Sequence, residues 1–224
     1  MALFILYLIA VYFVGGINPA YIIGKIKGLD IREHGSGNAG ASNALIVLGK
    51  RFGVLTGAFD IFKGWISVFL AMLLFPQYEY AGEIAMCAVV IGHIFPLVMK
   101  GRGGKGLSCF GGSLLALNWK LFLILLAVEI IIAFVSGYIA MVSITGTLIM
   151  ALVELFFFKR PVAALLFFVL FVIMTAKHIP NIKRILEGTE MRMSTIWNKK
   201  KEMERVHKKE EEIRKAAENK DLKD

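Results

Sequence analysis

Four short stretches carry residues whose types and spacing suit chemistry on an anion. The first runs from Gly35 to Asn43, G-S-G-N-A-G-A-S-N. Its glycines let backbone N–H groups approach a charged group, and Ser36, Asn38, Ser42 and Asn43 add small neutral donors. A plain flexible turn accounts for the glycines but less well for that crowd of donors. The second, residues 92–106, is G-H-I-F-P-L-V-M-K-G-R-G-G-K-G. It sets Lys100, Arg102 and Lys105 among Gly101, Gly103, Gly104 and Gly106, with His93 near its start. A basic glycine loop of this kind suits phosphate or a lipid head group; retention of positive charge on one membrane side is the plainer reading. The third is Asp60 and Lys63, one helical turn apart in F-D-I-F-K-G. Charges inside an apolar run face a partner or a cavity, or neutralise each other. The fourth, residues 175–185, carries His178, Asn181 and Arg184, which share one helical face if the helix continues through Pro180.

Gly35-x-Gly37-x-x-Gly40 also has the spacing of a dinucleotide-binding turn. That turn needs a strand before it and an acidic residue about 20 residues on. The preceding K-G-L-D-I-R-E-H is too charged for a buried strand, and the available acid, Asp60, lies in an apolar run. The second loop is not a nucleotide-enzyme G-K-[ST] loop either, because Gly106 follows Lys105.

The elements that must position these residues are helices in a bilayer. Of the 224 residues 57% are hydrophobic, and mean hydropathy is +0.68. Apolar runs at 2–24, 53–75, 84–99, 119–136, 139–158 and 161–179 approach or reach the length of a span, roughly 20 residues. A further run, 107–117, is apolar but short, with a Gly111-Gly112 pair; it suits a short or broken helix inside the bundle. The fold class is therefore an all-α polytopic membrane protein, a bundle of about seven transmembrane helices with glycine-rich cytoplasmic loops. Six is the alternative.

The net charge of +9 comes largely from loops, as the positive-inside rule requires, which leaves nucleic acid without a case as partner. With the N-terminus outside, the 25–52 and 100–105 loops and the C-terminus all lie on the cytoplasmic side. The acidic 76–83 loop, Lys120, Lys159 and Arg160 then lie outside. Two cysteines, Cys87 and Cys109, imply no disulfide framework. No cluster has metal-ligand spacing, so neither metal nor other cofactor is expected. Residues 1–192 form the membrane unit. Residues 193–224 form a charged, helical cytoplasmic tail, read as a solvated helix with i,i+4 pairs; Lys199 to Lys201 could also rest on anionic lipid.

Taken in order, these stretches resemble one family, the bacterial membrane acyl-phosphate:glycerol-3-phosphate acyltransferases (PlsY). Its G-S-G-N-x-G-A-T-N motif is matched by Gly35 to Asn43, with Ser42 for Thr. Its D-x-x-K-G is matched by Asp60, Lys63 and Gly64. Its G-H-x-F/W-P … G-G-K-G is matched by Gly92, His93, Phe95, Pro96 and Gly103 to Gly106. Ser136-Gly137-Tyr138, with Ser143 beyond, and His178-x-x-Asn181-Ile182-x-Arg184 complete the set. The resemblance implies an enzyme of phospholipid synthesis in the bacterial inner membrane. It would move a fatty acyl group from acyl-phosphate to the 1-hydroxyl of glycerol 3-phosphate, giving lysophosphatidic acid and phosphate. It implies catalytic roles for Ser36, Lys105, His178 and Asn181. Substrate contact would fall to Gly35, Gly37, Asn38, Gly40, Ser42, Asn43, Asp60, Lys63, His93, Gly103, Gly104, Gly106, Ser143 and Arg184.

Two departures stand out: Ile46 occupies the place of a family arginine, and L-S-C-F-G-G follows Gly106 where V-A-T is usual. They admit a diverged relative with another phosphorylated acceptor, or a non-catalytic binder of anionic lipid. A transporter of small phosphorylated metabolites is the remaining alternative; an inverted repeat or two matching broken helices would favour it, and the sequence shows no convincing repeat. The His-x4-Asp signature of other glycerolipid acyltransferases is absent: Ala39, Val98 and Lys183 stand five residues after His34, His93 and His178.

Overall fold

The computed structural model describes residues 1–196 and 198–221. The described elements are helical: α1 (Ala2–Gly16), α2 (Pro19–Ile26), α3 (Ala41–Val47), α4 (Lys50–Leu74), α5 (Ala81–Ile94), α6 (Leu107–Leu117), α7 (Trp119–Ser136), α8 (Ile139–Leu152), α9 (Pro161–Glu187) and α10 (Lys199–Asp221). A 3₁₀ turn at Leu97–Met99 extends the α5 segment, and a π turn at Val153–Phe157 extends α8. Five of these segments are long and apolar enough to cross a membrane, and the bent pair α1–α2 makes a sixth. The expected seventh, α6, has 11 residues. At 1.5 Å per residue it covers about half of a ~30 Å hydrocarbon core. The multi-pass bundle is as expected, but the count of seven is not reached by length.

The α1–α2 pair bends by 48° where the sequence reads Ile17-Asn18-Pro19. The residue before a proline is driven out of the helical region, and proline itself is welcome at the first helical position. Asn18 is extended, and its Oδ1 accepts from the Tyr21 N–H at 2.9 Å as an N-cap. Asn18 Nδ2 donates to Ala39 O at 2.6 Å, so the break also holds the first glycine loop. Pro180 has no such effect: α9 runs through it to Gly188, which caps the helix in the left-handed region (φ +76°).

Small residues set the helix crossings. A Cβ on Gly64 of α4 would collide with Cys109 O of α6, and one on Gly112 with Ile61 O. α1 and α5 meet likewise at Gly15 and Gly92. This is the close backbone approach that drives association where lipid removes the hydrophobic gain. Around these crossings Met86, Val89, Val90, Phe110, Leu114, Phe167, Leu170 and Met174 form the core, with Phe110 and Phe167 edge to face at 6.1 Å. Gly64→Ala should lower the thermal midpoint in detergent by about 5 °C through overpacking of α4 on α6. An unchanged midpoint would show that the crossing relaxes freely.

The acids in apolar runs have partners. Thr145 Oγ1 lies 2.9 and 2.8 Å from the two oxygens of Glu129. At the end of the bundle away from the glycine loops, Arg160 lies 2.7 Å from Glu83 and 3.3 Å from Glu154. That clasp ties α5, the π turn and α9 together.

Candidate active site

The first glycine loop is a folded object. Gly35 and Gly37 have φ of +61° and +71°, a conformation that side chains other than glycine resist. Asn43 is fully buried. Its Oδ1 accepts from the Ser36 N–H at 2.8 Å, and its Nδ2 donates to Ile31 O and His34 O, both at 2.9 Å. Asn43 thus shapes the loop with its amide fully engaged. Gly40 lies against the Asn38 amide, leaving no room there for a Cβ. Ser36 and Ser42 are exposed, and among the described residues neither hydroxyl has a hydrogen-bond partner. Ile46 is half-buried on α3, while Lys50 and Arg51 are exposed at the start of α4.

Arg32 joins this loop to the second. Its Nη1 donates to Met99 O at 2.7 Å, while Nε and Nη2 hold Asp30 at 2.9 and 2.8 Å. The Arg32 hydrogen bond keeps the Asp30 carboxyl well below the usual carboxylate range. From sequence Arg32 is only one more positive-inside charge.

The second loop folds back on the end of α5. Gly103 N–H donates to Ile94 O at 3.2 Å and Gly104 N–H to His93 O at 3.1 Å. A Cβ on Gly103 would strike His93 O, and one on Gly104 the His93 ring. These two glycines are therefore required by packing, whatever they offer a ligand. Gly106, at φ +96°, starts α6. Beneath the loop, His93 Nδ1 lies 3.4 Å from Asp60 Oδ1, and Lys63 Nζ lies 2.7 Å from the same oxygen. Lys63 also donates to Ile17 O at 2.8 Å, a carbonyl left over by the α1–α2 break. Asp60, Lys63 and His93 are all buried. They knit α1, α4 and α5 under Lys105.

Lys105 Nζ donates to Asn181 Oδ1 at 2.5 Å. Asn181 Nδ2 donates to Glu190 Oε1, and Arg184 Nε to Glu190 Oε2, both at 2.6 Å. His178 lies one turn before Asn181 on the same face of α9, and its Nδ1 bonds Met174 O at 2.7 Å. A carbonyl only accepts, so Nδ1 carries the proton and Nε2 keeps its lone pair. Ser143 is buried in the first turns of α8, and its hydroxyl has no partner among the described residues. Burial lowers the Lys105 ammonium to about 8, with Glu190 pulling upward and Arg184 further down.

Glu190 is the residue that the sequence reading missed. The left-handed Gly188 turns the chain back, and Thr189 and Glu190 N–H groups both donate to Arg184 O at 2.8 and 3.0 Å. That fold-back carries the carboxylate onto Asn181 and Arg184. The one signal in sequence was a glycine directly after a helical turn containing arginine. Two cations, an amide and a carboxylate now form one hydrogen-bonded chain beside the second glycine loop. Lys105 and Arg184 retain N–H donors beyond those the chain uses, as a phosphate requires.

Residues 5–188 match the family described as glycerol-3-phosphate acyltransferase. The chain belongs to the glycerol-3-phosphate acyltransferase family. Among family members, glycerol-3-phosphate acyltransferase of Clostridioides difficile is 38% identical over 199 residues, covering 85% of this chain and 95% of that one. Glycerol-3-phosphate acyltransferase 1 of Oceanobacillus iheyensis is 34% identical over 196 residues, covering 84% and 94%. The crystal structure of the integral membrane enzyme PlsY in its glycerol 3-phosphate form superimposes with a TM-score of 0.78 at 33% identity, covering 86% of this chain and 96% of that one. Its lysophosphatidic acid form gives 0.74 at 32% identity. As a member of this acyltransferase family, the chain is a multi-pass membrane enzyme of phospholipid synthesis.

Proposed function

We propose that the protein transfers a fatty acyl group from acyl-phosphate to the 1-hydroxyl of glycerol 3-phosphate. The observation that carries this reading is the chain Lys105–Asn181–Glu190–Arg184 beside a basic glycine loop. Both substrates are phosphate anions, and the solved relative carries glycerol 3-phosphate in one form and lysophosphatidic acid in another. In the reaction the acceptor oxygen attacks the acyl carbon, the carbonyl oxygen gathers charge, and the bond from the acyl carbon to phosphate oxygen breaks. Phosphate leaves, and a new ester remains on the glycerol. A mixed anhydride is already activated, so no covalent enzyme intermediate is needed. Lys105 and Arg184, with the Ser36 and Ser143 hydroxyls, stabilise phosphate and the developing oxyanion. Holding two substrates at one membrane surface supplies proximity.

Asp60, Lys63, His93 and Asn43 act as supports in this scheme: Asp60 and Lys63 pair inside the protein, the His93 ring packs against Gly104, and the Asn43 amide is used on the loop backbone. The hydroxyl proton passes to a substrate phosphate. The fixed Nε2 lone pair of His178 accepts a hydrogen bond from the acceptor hydroxyl and orients it. His178→Gln should therefore keep turnover within about tenfold, whereas loss of a general base costs about 10²–10⁴. A fall of the larger size would make His178 the base. A bilayer that places the glycine loops in the bacterial cytoplasm, with the N-terminus outside, follows from the charge of those loops. Residues 1–192 then hold the chemistry and 193–224 the cytoplasmic appendage.

The direct experiment is phosphate release by the purified protein in detergent from acyl-phosphate, with and without glycerol 3-phosphate. Acceptor-dependent release with lysophosphatidic acid formed supports the reading and shows Ile46 to be tolerated. Release that ignores glycerol 3-phosphate but responds to another phosphorylated alcohol would replace the acceptor. Folded protein that releases nothing would sink the catalytic reading.

A further inference from the structure

The charged segment after Arg192 lies beyond the residues that the family match covers, and from sequence it reads as solvated. Its first turns are not. Glu202 is 6% exposed. Its Oε1 accepts from the Arg192 N–H at 2.9 Å and from Arg205 Nε and Nη2 at 3.0 and 2.6 Å; its Oε2 accepts from Ser194 Oγ at 3.2 Å. Arg205 reaches further. Its Nη1 donates to Gly188 O at 2.5 Å and its Nη2 to Glu190 O at 2.7 Å. Met193 N–H meanwhile donates to Gly137 O at 2.8 Å, in the turn between α7 and α8. One ion pair, its carboxylate buried and its arginine half-buried, thus takes up the backbone of the segment that delivers the Glu190 carboxylate to Asn181 and Arg184.

We infer that Arg205 and Glu202 of α10 are positioning residues for acyl transfer, bracing the 188–194 segment so that Glu190 holds Asn181 and Arg184 in phosphate-binding geometry. The inference rests on the proposed reaction. The physical reason is entropic. The segment has left α9 at Gly188; beyond the bonds that its Thr189, Glu190 and Met193 N–H groups make to Arg184 O and Gly137 O, it can sample further backbone states that take Glu190 off its partners. Charged donors on two of its carbonyls select one state.

The test uses the full-length protein. Arg205→Ala should raise KM for glycerol 3-phosphate about tenfold with kcat within about twofold, the pattern of lost uniform binding. Arg205→Lys, which keeps a cationic donor, should recover most of that loss. In a Glu190→Gln background, Arg205→Ala should add little, because its effect runs through the carboxylate. Unchanged KM in Arg205→Ala, or an equal rise on both backgrounds, overturns the inference. Amide hydrogen exchange over residues 188–194 gives a readout independent of turnover. Arg205→Ala should speed it about tenfold while α4 and α5 stay protected; unchanged protection overturns the brace. If wild-type protein fails to acylate glycerol 3-phosphate, the proposed function falls, and exchange alone decides whether the brace exists.

Discussion

Lys105→Ala is expected to lower kcat/KM for acyl transfer by about 10³-fold, the upper size for loss of one preorganised donor to developing charge. Lys105 enters on a glycine loop held to α5 by two backbone hydrogen bonds, and Asn181 fixes the direction of its ammonium at 2.5 Å. Little reorganisation is left for the moment of reaction. A loss below about tenfold would place the phosphates elsewhere.

The same lysine sets a pH dependence whose sign is fixed. Burial brings its pKa from 10.5 to about 8, so the ammonium is complete well below pH 8, half lost near it and gone well above. The profile of kcat/KM reports groups of the free enzyme. It should be flat well below about pH 8 and fall through that value, as the phosphate site loses a cation. Folding stability runs the other way for this group. Between about 8 and 10.5 the unfolded chain binds more protons than the folded one, so the Lys105 contribution to stability rises with pH across that window. Lys105→Arg, which stays charged, should keep a phosphate contact without the fall above pH 8. A profile that falls at the same pH in Lys105→Arg would assign the titration to another group.

The sequence made the bundle and both glycine loops legible, because they depend on local signals: apolar length, small polar donors and loop charge. It left open whether His178, Asn181 and Arg184 share a face, since a proline inside a helix is normally a break; here α9 continues through Pro180. Roles inside the site were less legible. Asn43 looks like a donor for a ligand, yet its amide is used up on Ser36, Ile31 and His34. Gly103 and Gly104 look like room for a substrate, yet the His93 ring and carbonyl already require them. Glu190 and the Glu202–Arg205 pair were unreadable for one reason. Their partners lie across a reversal at Gly188, and charge periodicity in a helix says nothing of what its first turns touch. The shortness of α6 could be read, but whether it crosses the bundle is decided by where α4 and α7 leave space.

Asp60→Ala is expected to be the most damaging single change to stability, and its repair separates support from substrate contact. Asp60 and Lys63 are 2% and 1% exposed, with 2.7 Å between Oδ1 and Nζ. Removing the carboxylate leaves an ammonium in the membrane interior with Ile17 O as its remaining hydrogen-bond acceptor. Breaking a buried pair in this way costs about 3–5 kcal/mol. That corresponds to a fall of about 10 °C in the thermal midpoint for a chain of this size. Taking away both charges is a different matter. Asp60→Asn with Lys63→Met keeps the volumes and removes the orphaned ion, and buried pairs replaced by neutral groups of similar size often lose little. The double variant should recover to within about 2 kcal/mol of wild type. The neutral pair leaves the His93 ring packed against Gly104, so Lys105 remains presented. If Asp60 and Lys63 act as supports, acyl transfer returns with stability. A stable but inactive double variant would show instead that one of the two charges meets the substrate.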